Sequence, residues 1–175
     1  MAIIEATGLT YTYPGANKPS LSEVALTIEK GEFAILTGPS GCGKTTLCRC
    51  FNGLIPHFYA GESEGNLRVA DLNVSEHTIG EMAKHVGLVF QNPENQLFAL
   101  SVEKDVAFGL ENLGMPRQEM RERVDWALKM TGIEDLRERA PHELSGGQQQ
   151  RVAIASVLAM QPEIIVFDEP TSFLD

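Results

Sequence analysis

Hydrophobic and polar residues alternate in two stretches near the start of the chain. The first stretch ends at Tyr13, the second covers Val24–Ile28, and the turn-forming pair Pro14-Gly15 lies between them. Alternation with a period of two places every second side chain on one face, so both stretches predict β-strands. A further strand is predicted at Phe33–Thr37, a short apolar run that meets a glycine-rich loop.

The rest of the chain contains both helical and strand patterns. We predict helices in four segments, at Thr45–Asn52, 101–114, 116–132 and 144–162. In the two middle segments, apolar residues recur every three to four positions and a glycine closes the run. The remaining strand candidates are Gly65–Val74, Val86–Phe90 and Ile164–Phe167. The mixture of helices and strands predicts an α/β fold class.

The loop after Phe33–Thr37 matches the spacing G-x-x-x-x-G-K followed by Ser or Thr. It consists of Gly38, Pro39, Ser40, Gly41, Cys42, Gly43, Lys44 and Thr45. Glycines let the backbone curl so that its N–H groups point at phosphate oxygens, and the next helix adds its positive dipole end. Lys44 would reach the β- and γ-phosphates, and the Thr45 hydroxyl would ligate Mg²⁺. The competing interpretation is a tight turn with a solvated lysine, which the predicted strand and helix on either side disfavour.

Two carboxylates follow the strand candidate Ile164–Phe167. A buried strand that delivers an acid at its C-terminal end is well suited to hold Mg²⁺. Asp168 would bind the metal through water, and Glu169 would polarise the attacking water. Because apolar strands often end in acidic loops, this interpretation depends on the phosphate loop in the same chain.

A second anion-binding helix start is predicted at Leu144–Gln148. Gly146 and Gly147 expose backbone N–H groups where the helix begins, and Ser145 adds a hydroxyl. Alone, this five-residue string could be an ordinary helix-capping loop. Its order after the phosphate loop favours a nucleotide site.

With these motifs in place, the sequence resembles the nucleotide-binding domain of ATP-binding cassette (ABC) ATPases over essentially all 175 residues. The segment 38–46 resembles the Walker A motif, 164–169 the Walker B motif and 144–148 the signature motif. Ser172–Asp175 resembles the D-loop, with Phe173 where the family usually has alanine.

The resemblance implies a P-loop NTPase fold with a RecA-like core, an N-terminal antiparallel β-subdomain and an inserted α-helical subdomain. The core and the β-subdomain would occupy about 1–91 and 157–175, and the helical subdomain about 92–156. Together they would form a single ABC ATPase domain.

The resemblance also implies ATP and Mg²⁺ as cofactors and a role for individual residues. The implied nucleotide-binding residues are Tyr13, Gly38, Pro39, Ser40, Gly41, Cys42, Gly43, Lys44, Thr45, Thr46, Ser145, Gly146, Gly147 and Gln148. The implied metal ligands are Thr45, Gln91 and Asp168, and the implied catalytic residues are Glu169, Lys44 and Gln91. Tyr13 would stack on adenine, although it could instead pack on the β-subdomain. Gln91 would sense the γ-phosphate, although it could be an ordinary polar loop residue.

Two kinds of partner follow from the resemblance. Family members work as head-to-tail dimers, so Ser145–Gln148 would act on the ATP of a second ABC subunit or domain. The segment Phe90–Phe98, FQNPENQLF, resembles the glutamine loop of energy-coupling factor (ECF) transporter ATPases, importers of vitamins and of cobalt or nickel ions. Leu54–Phe58 has a weaker likeness to the same group. An integral-membrane transporter component is therefore expected as a partner, and this protein is expected to be peripheral, at the cytoplasmic face of the cell membrane. An exposed Phe98 would contribute to the interface between them.

Composition argues against a nucleic-acid surface, a membrane span, a disulfide framework and a zinc site. The formal net charge of −10 argues against a broad nucleic-acid surface, because such a surface needs basic residues to displace counterions. No apolar stretch reaches the ~20 residues of a membrane span. The cysteines at 42, 48 and 50 form no disulfide framework, and they lack the fourth ligand that zinc would need.

Two alternative functions belong to other classes. A soluble ABC ATPase acting on DNA would carry a long coiled coil, and the segment 92–143 is too short for one. A ribosome-associated member would need basic segments, which the acidic balance disfavours. A regulatory nucleotide-binding domain without catalysis is disfavoured by the presence of Glu169.

Asp175 falls in the middle of the predicted D-loop, and the resemblance implies a further core strand and a switch histidine beyond it. The four histidines, at 57, 77, 85 and 142, all precede the Walker B segment. We therefore expect these residues to be C-terminally incomplete as a cassette and to hydrolyse ATP negligibly on their own.

Overall fold

In a computed structural model that describes residues 1–171, the chain divides into two units, Met1–Val86 and the residues from Gly87 onward. The first unit contains β1 (Ala2–Thr12), β2 (Leu21–Glu29), α1 (Lys44–Phe51), α2 (Leu54–His57), β3 (Glu62–Val69), β4 (Leu72–Asn73) and α3 (Ile79–Met82). The boundary falls inside β5 (Val86–Val89), and α4 (Val102–Asn112), α5 (Arg117–Thr131), α6 (Gly146–Met160) and β6 (Ile164–Phe167) follow. Short 3₁₀ turns lie at 74–76, 93–95, 134–136 and 141–143.

The sheet of the first unit is antiparallel, as the family resemblance implied for the N-terminal part. Its strand order is β2-β1-β3-β4, and Ile4 of β1 pairs with Ile28 on one side and Val69 on the other. The register shifts near Gly8, which has a φ of 61°. Buried β1 side chains lie on both sides of this shift, at Ile4, Ala6, Leu9 and Tyr11.

The predicted strand at Phe33–Thr37 is wrong for the described residues. Neither of their two sheets includes this segment, and the side chains of Phe33 and Ile35 are 88% and 75% exposed. A strand needs a neighbour to take its backbone hydrogen bonds, and no described strand supplies one here. The apolar run is therefore a surface segment in this structure.

Three helices form the core of the second unit, where α6 packs against both α4 and α5. As predicted, Pro116 precedes α5, and Gly132, with a φ of 64°, ends it. The buried cluster comprises Val102, Val106, Leu110, Val124, Ala127, Leu128, Ile133, Leu136, Leu144, Val152, Ala155 and Ala159. Within residues 1–171, none of the helices has the length and apolar character needed to span a bilayer.

The opposite face of α6 packs against β5, which pairs with β6 in a two-stranded sheet. Val89 of β5 contacts Ala153 and Val157 of α6 in a small apolar cluster. A Cβ atom on Gly87 would lie 2.4 Å from Val157 Cγ1, so the strand and the helix approach as closely as a glycine allows.

Candidate functional site

The glycine-rich loop is exposed and is held in a conformation that glycine favours. Gly41 and Gly43 have φ values of 80° and 99°, and a Cβ atom on Gly43 would lie 2.5 Å from the carbonyl oxygen of Ser20. Helix α1 begins at Lys44, with Gly43 as its N-cap and no side-chain cap. The Lys44 Nζ donates to the carbonyl oxygens of Gly38 and Pro39, at 3.0 and 3.2 Å, so the ammonium group lies against the loop.

These residues fit an oligophosphate ligand. The start of α1 provides backbone donors and the positive end of a helix dipole, and Lys44 adds a full positive charge. Thr45 and Thr46 follow in the first turn of α1, with Thr45 half-buried and Thr46 buried. A Cβ on Gly43 would collide with backbone, so the loop path is compatible with glycine at that position.

Tyr13 lies just beyond β1 in an aromatic cluster that sequence analysis did not identify. Its ring stands edge-to-face with those of Tyr11 and Tyr59, with centroid distances of 4.8 and 6.4 Å. Its hydroxyl lies 3.4 Å from Thr46 Oγ1 and accepts a hydrogen bond from Arg49 Nη1, also at 3.4 Å. Arg49 and Tyr59 belong to no recognised motif, so no sequence signal marked them.

Gln91 and Glu169 are joined by a hydrogen bond in the second unit. The Gln91 Nε2 donates to Glu169 Oε2 at 2.8 Å, across 78 positions of sequence. Glu169 has a φ of 49°, an uncommon conformation for a residue with a side chain, and such conformations cluster at functional sites. The sequence named both residues as catalytic, and the structure brings them together.

Asp168 is buried beside this pair at the end of β6. Its backbone N–H donates to the carbonyl oxygen of Val89 at 3.0 Å, which anchors it to the end of β5. No group of three or more acidic, histidine or cysteine residues within 1–171 could hold a metal ion by itself. A single carboxylate such as that of Asp168 suits Mg²⁺, because this ion binds through one or two carboxylates and completes its shell with phosphate oxygens and water.

The predicted signature segment forms the start of α6. Ser145 is the N-cap, its Oγ accepts from the backbone N–H of Gln148 at 3.3 Å, and the Gln148 Oε1 accepts from the Ser145 N–H at 3.0 Å. This capping box is the helix-capping arrangement that the sequence left open as an alternative. Ser145 remains exposed, and Gly146 and Gly147 are half-buried.

A buried carboxylate, also missed in the sequence, shapes the segment after the glutamine loop. Asp105 accepts hydrogen bonds from the backbone N–H groups of Phe98 and Ala99, at 3.1 and 3.2 Å. Burial raises the pKa of this carboxyl, and the two N–H donors partly oppose the shift. Phe98 and Leu100 are 65% and 80% exposed, and Phe98 stands edge-to-face with Phe108 at 4.6 Å. We call Phe98, Leu100 and Phe108 the apolar patch.

The predicted site residues fall in both units. Tyr13 and Gly38–Thr46 lie in the first unit, whereas Gln91, Ser145–Gln148 and the two carboxylates at 168 and 169 lie in the second. The predicted D-loop, Ser172–Asp175, lies outside the described residues.

Comparison with known sequences identifies one family. The sequence model of the family described as ABC transporter matches residues 21–172. A putative ABC transporter ATP-binding protein of Pyrococcus abyssi is 53% identical over 175 residues, which is 100% of this chain and 62% of that protein. The energy-coupling factor transporter ATP-binding protein EcfA1 of Bacillus licheniformis is 46% identical over 174 residues, 99% of this chain and 60% of that protein. The chain thus spans about three fifths of the length of these two curated relatives.

Solved structures give the same result for the fold. The structure of cbiO1 from Clostridium perfringens, described as part of the ABC transporter complex cbiONQ, matches with a TM-score of 0.84 and 39% identity, covering 99% of this chain and 68% of that chain. A dimeric post-hydrolysis state of the ATP-binding cassette MJ0796, bound to ADP and Pi, matches with a TM-score of 0.84 and 33% identity, covering 98% and 76%. The predicted α/β fold class, that of P-loop NTPases, is confirmed.

Proposed function

This chain belongs to the ABC transporter family of ATPases, and from that premise we propose that it is the ATP-binding and ATP-hydrolysing motor subunit of an ECF-type importer. It would work at the cytoplasmic face of the cell membrane and drive the uptake of a vitamin or a transition-metal ion. The observation that carries the proposal is the phosphate loop, where the Lys44 ammonium lies against the loop carbonyls at the start of α1. The identity to EcfA1 and the likeness to cbiO1 support the ECF type.

Nucleotide binding is assigned to the loop and to Tyr13. Residues 38–46 would hold the phosphates through backbone N–H groups and the Lys44 charge. Tyr13, half-buried and oriented by its neighbours, would stack on the adenine ring.

Hydrolysis is assigned to Glu169, supported by Gln91. Thr45, Gln91 and Asp168 would hold Mg²⁺, which when bound supplies charge neutralisation on the β- and γ-phosphates. Glu169 would orient the attacking water and accept its proton. The Gln91 Nε2 donates to one Glu169 oxygen in this structure, and the Gln91 Oε1 is the atom that would bind the metal.

A second cassette would complete the site. The start of α6, with Ser145 exposed, would face the ATP of the partner in a head-to-tail dimer. The dimeric structure of MJ0796 supports a dimer. The membrane component would bind the apolar patch, whose exposed side chains support this assignment.

ATP-linked stabilisation tests the nucleotide site. With Mg²⁺ and ATP at 100 times its Kd, the free energy of unfolding should rise by about 2.7 kcal/mol. For a domain of this size, Tm should increase by about 5–10 °C. Lys44→Ala should abolish the shift, whereas Lys18→Ala, at an exposed lysine of the same unit, should preserve it. A folded wild-type protein that shows no shift would contradict the proposal.

Membrane association tests the transporter role. Replacing Phe98 and Leu100 by Ser should reduce the fraction of the protein that sediments with the membranes of its native cells, while the ATP-dependent shift stays unchanged. Met130→Ser is the matched control, because Met130 is an exposed apolar residue of α5 outside the apolar patch. An unchanged membrane fraction in the double variant would contradict the docking role of the patch.

A further inference from the structure

All three tyrosines of the chain lie around one arginine in the first unit. Tyr11 is fully buried in β1, and its hydroxyl donates to the carbonyl oxygen of Ala60 at 2.9 Å. The guanidinium carbon of Arg49 lies 4.5 Å from the ring centroid of Tyr59, a cation–π contact. Tyr13 completes the group through its edge-to-face contacts with both other rings.

Arg49 connects the Tyr13 hydroxyl to α1. A guanidinium group only donates hydrogen bonds, so the phenol oxygen of Tyr13 is the acceptor from Arg49 Nη1. The phenol proton remains available for Thr46 Oγ1 at 3.4 Å. Both partners, Arg49 and Thr46, belong to the helix that opens at the phosphate loop.

Arg49 carries a structural cost that its packing does not explain. Its Nε is buried and has no hydrogen-bond partner among the described residues. Buried unpaired donors lower stability, so a contribution to stability does not account for this group. Among the described residues, the hydrogen bond to Tyr13 is the one that the Arg49 guanidinium makes with a side chain.

We propose that Arg49 is a positioning residue that holds the Tyr13 ring in the orientation needed to stack against the nucleotide base, an inference that rests on the function proposed above. A ring already fixed by its neighbours loses less conformational freedom when the base binds. Arg49 therefore raises the affinity for the base part of the ligand and leaves the affinity for the phosphates unchanged. It makes the site selective for a nucleotide over a bare triphosphate.

The test compares the Kd of ATP with that of inorganic tripolyphosphate, measured by titration calorimetry on the full chain. Fixing one long side chain is worth about 0.5–1.5 kcal/mol, or about two- to tenfold in Kd. We expect Arg49→Met to raise the Kd of ATP by that factor and to leave the Kd of tripolyphosphate unchanged, with Arg49→Lys intermediate. Arg68→Met, at an exposed arginine of β3, should change neither. Equal weakening of both ligands, or no change in either, would overturn the inference.

A double-mutant cycle separates positioning from general stability. In a Tyr13→Ala background, Arg49→Met should have no further effect on the Kd of ATP, because the ring it holds is gone. Additive losses would contradict positioning through Tyr13. If Arg49→Met does not fold, Tyr13→Phe carries the test, since it keeps the ring, removes the hydroxyl and should weaken ATP alone by about two- to threefold.

The same data distinguish this inference from the proposed function. A wild-type protein that binds neither ligand would contradict the function. A wild-type protein that binds both, with an unchanged ratio in the Arg49 variants, would contradict only the role of Arg49.

Discussion

Replacing Gln150 by Met should stabilise the protein, although it removes a polar side chain close to the start of α6. Gln150 is 1% exposed, and neither its Oε1 nor its Nε2 has a hydrogen-bond partner among the described residues. In the unfolded chain, water satisfies both atoms. The folded state therefore carries a desolvation cost that an apolar side chain of similar size would not.

The magnitude follows from the two unpaired atoms. At about 1 kcal/mol each, at the low end for buried unsatisfied groups, their removal relieves about 2 kcal/mol. A volume-conserving replacement in a packed core costs up to about 1 kcal/mol through imperfect fit. The net gain in the free energy of unfolding is therefore about 1 kcal/mol, and Tm should rise by about 2–4 °C.

Gln149 provides a matched control one position earlier. It is also buried, but its Nε2 donates to the carbonyl oxygen of Pro141 at 3.0 Å. Gln149→Met removes that bond, while the Pro141 carbonyl still accepts from the backbone N–H of Leu144 at 3.2 Å. The free energy of unfolding should therefore fall by about 1 kcal/mol, the net value of one hydrogen bond. The same substitution at two adjacent positions should thus change stability in opposite directions.

Urea titrations and differential scanning calorimetry measure both variants. A loss of more than about 0.5 kcal/mol in Gln150→Met would refute the reasoning, because it would mean that a water or another group satisfies the amide. A change of the same sign in both variants would refute it as well.

Three other predictions concern single residues. In an intact cassette, Glu169→Gln should keep ATP binding within about twofold and accumulate an ATP-dependent dimer in light scattering, because the proton acceptor is lost and the phosphate contacts are kept. Turnover equal to that of the intact wild type would contradict the assigned role. Because burial raises the pKa of Asp105, its contribution to stability is fully present below pH ~4 and declines as pH rises through the raised pKa. Urea melts should therefore show the wild type losing stability relative to Asp105→Asn as the pH increases, and a flat difference would exclude this. Burial also raises the pKa of the Cys50 thiol to about 12, so iodoacetamide at pH 8 should label the exposed Cys42 and spare Cys50 in the native protein; comparable labelling in peptide mass spectra would count against it.

Local patterns predicted the position of several elements correctly. The strand at Ile164–Phe167 has the predicted bounds, and α5 lies between the predicted signals at Pro116 and Gly132. Phe33–Thr37 has an equally clear apolar pattern and forms no strand in the described residues. An apolar run indicates a preference for burial, whereas a strand also requires a pairing partner, which sequence spacing does not provide.

The same distinction applies to the site. The phosphate loop was predictable because its eight residues are contiguous and their spacing has a mechanical purpose. Arg49 and Tyr13 are 36 positions apart, and their contact depends on the path of the chain between them. Asp105 belongs to no motif. Its effect on the segment after the glutamine loop comes from its burial and from the hydrogen bonds that it accepts from two backbone N–H groups.

The close approach at Gly87 fixes one point of α6 against β5, far from the start of the helix. Val157 is held against β5 at that contact, eleven positions after Gly146 at the start of the helix. At ~1.5 Å per residue, the helix axis between these two residues is ~16 Å long. A tilt of ~10° about the contact would therefore displace the start of α6 by ~3 Å. That displacement equals the length of a hydrogen bond. A small angular change at β5 would therefore shift Ser145 and Gly146 far enough to make or break a hydrogen bond.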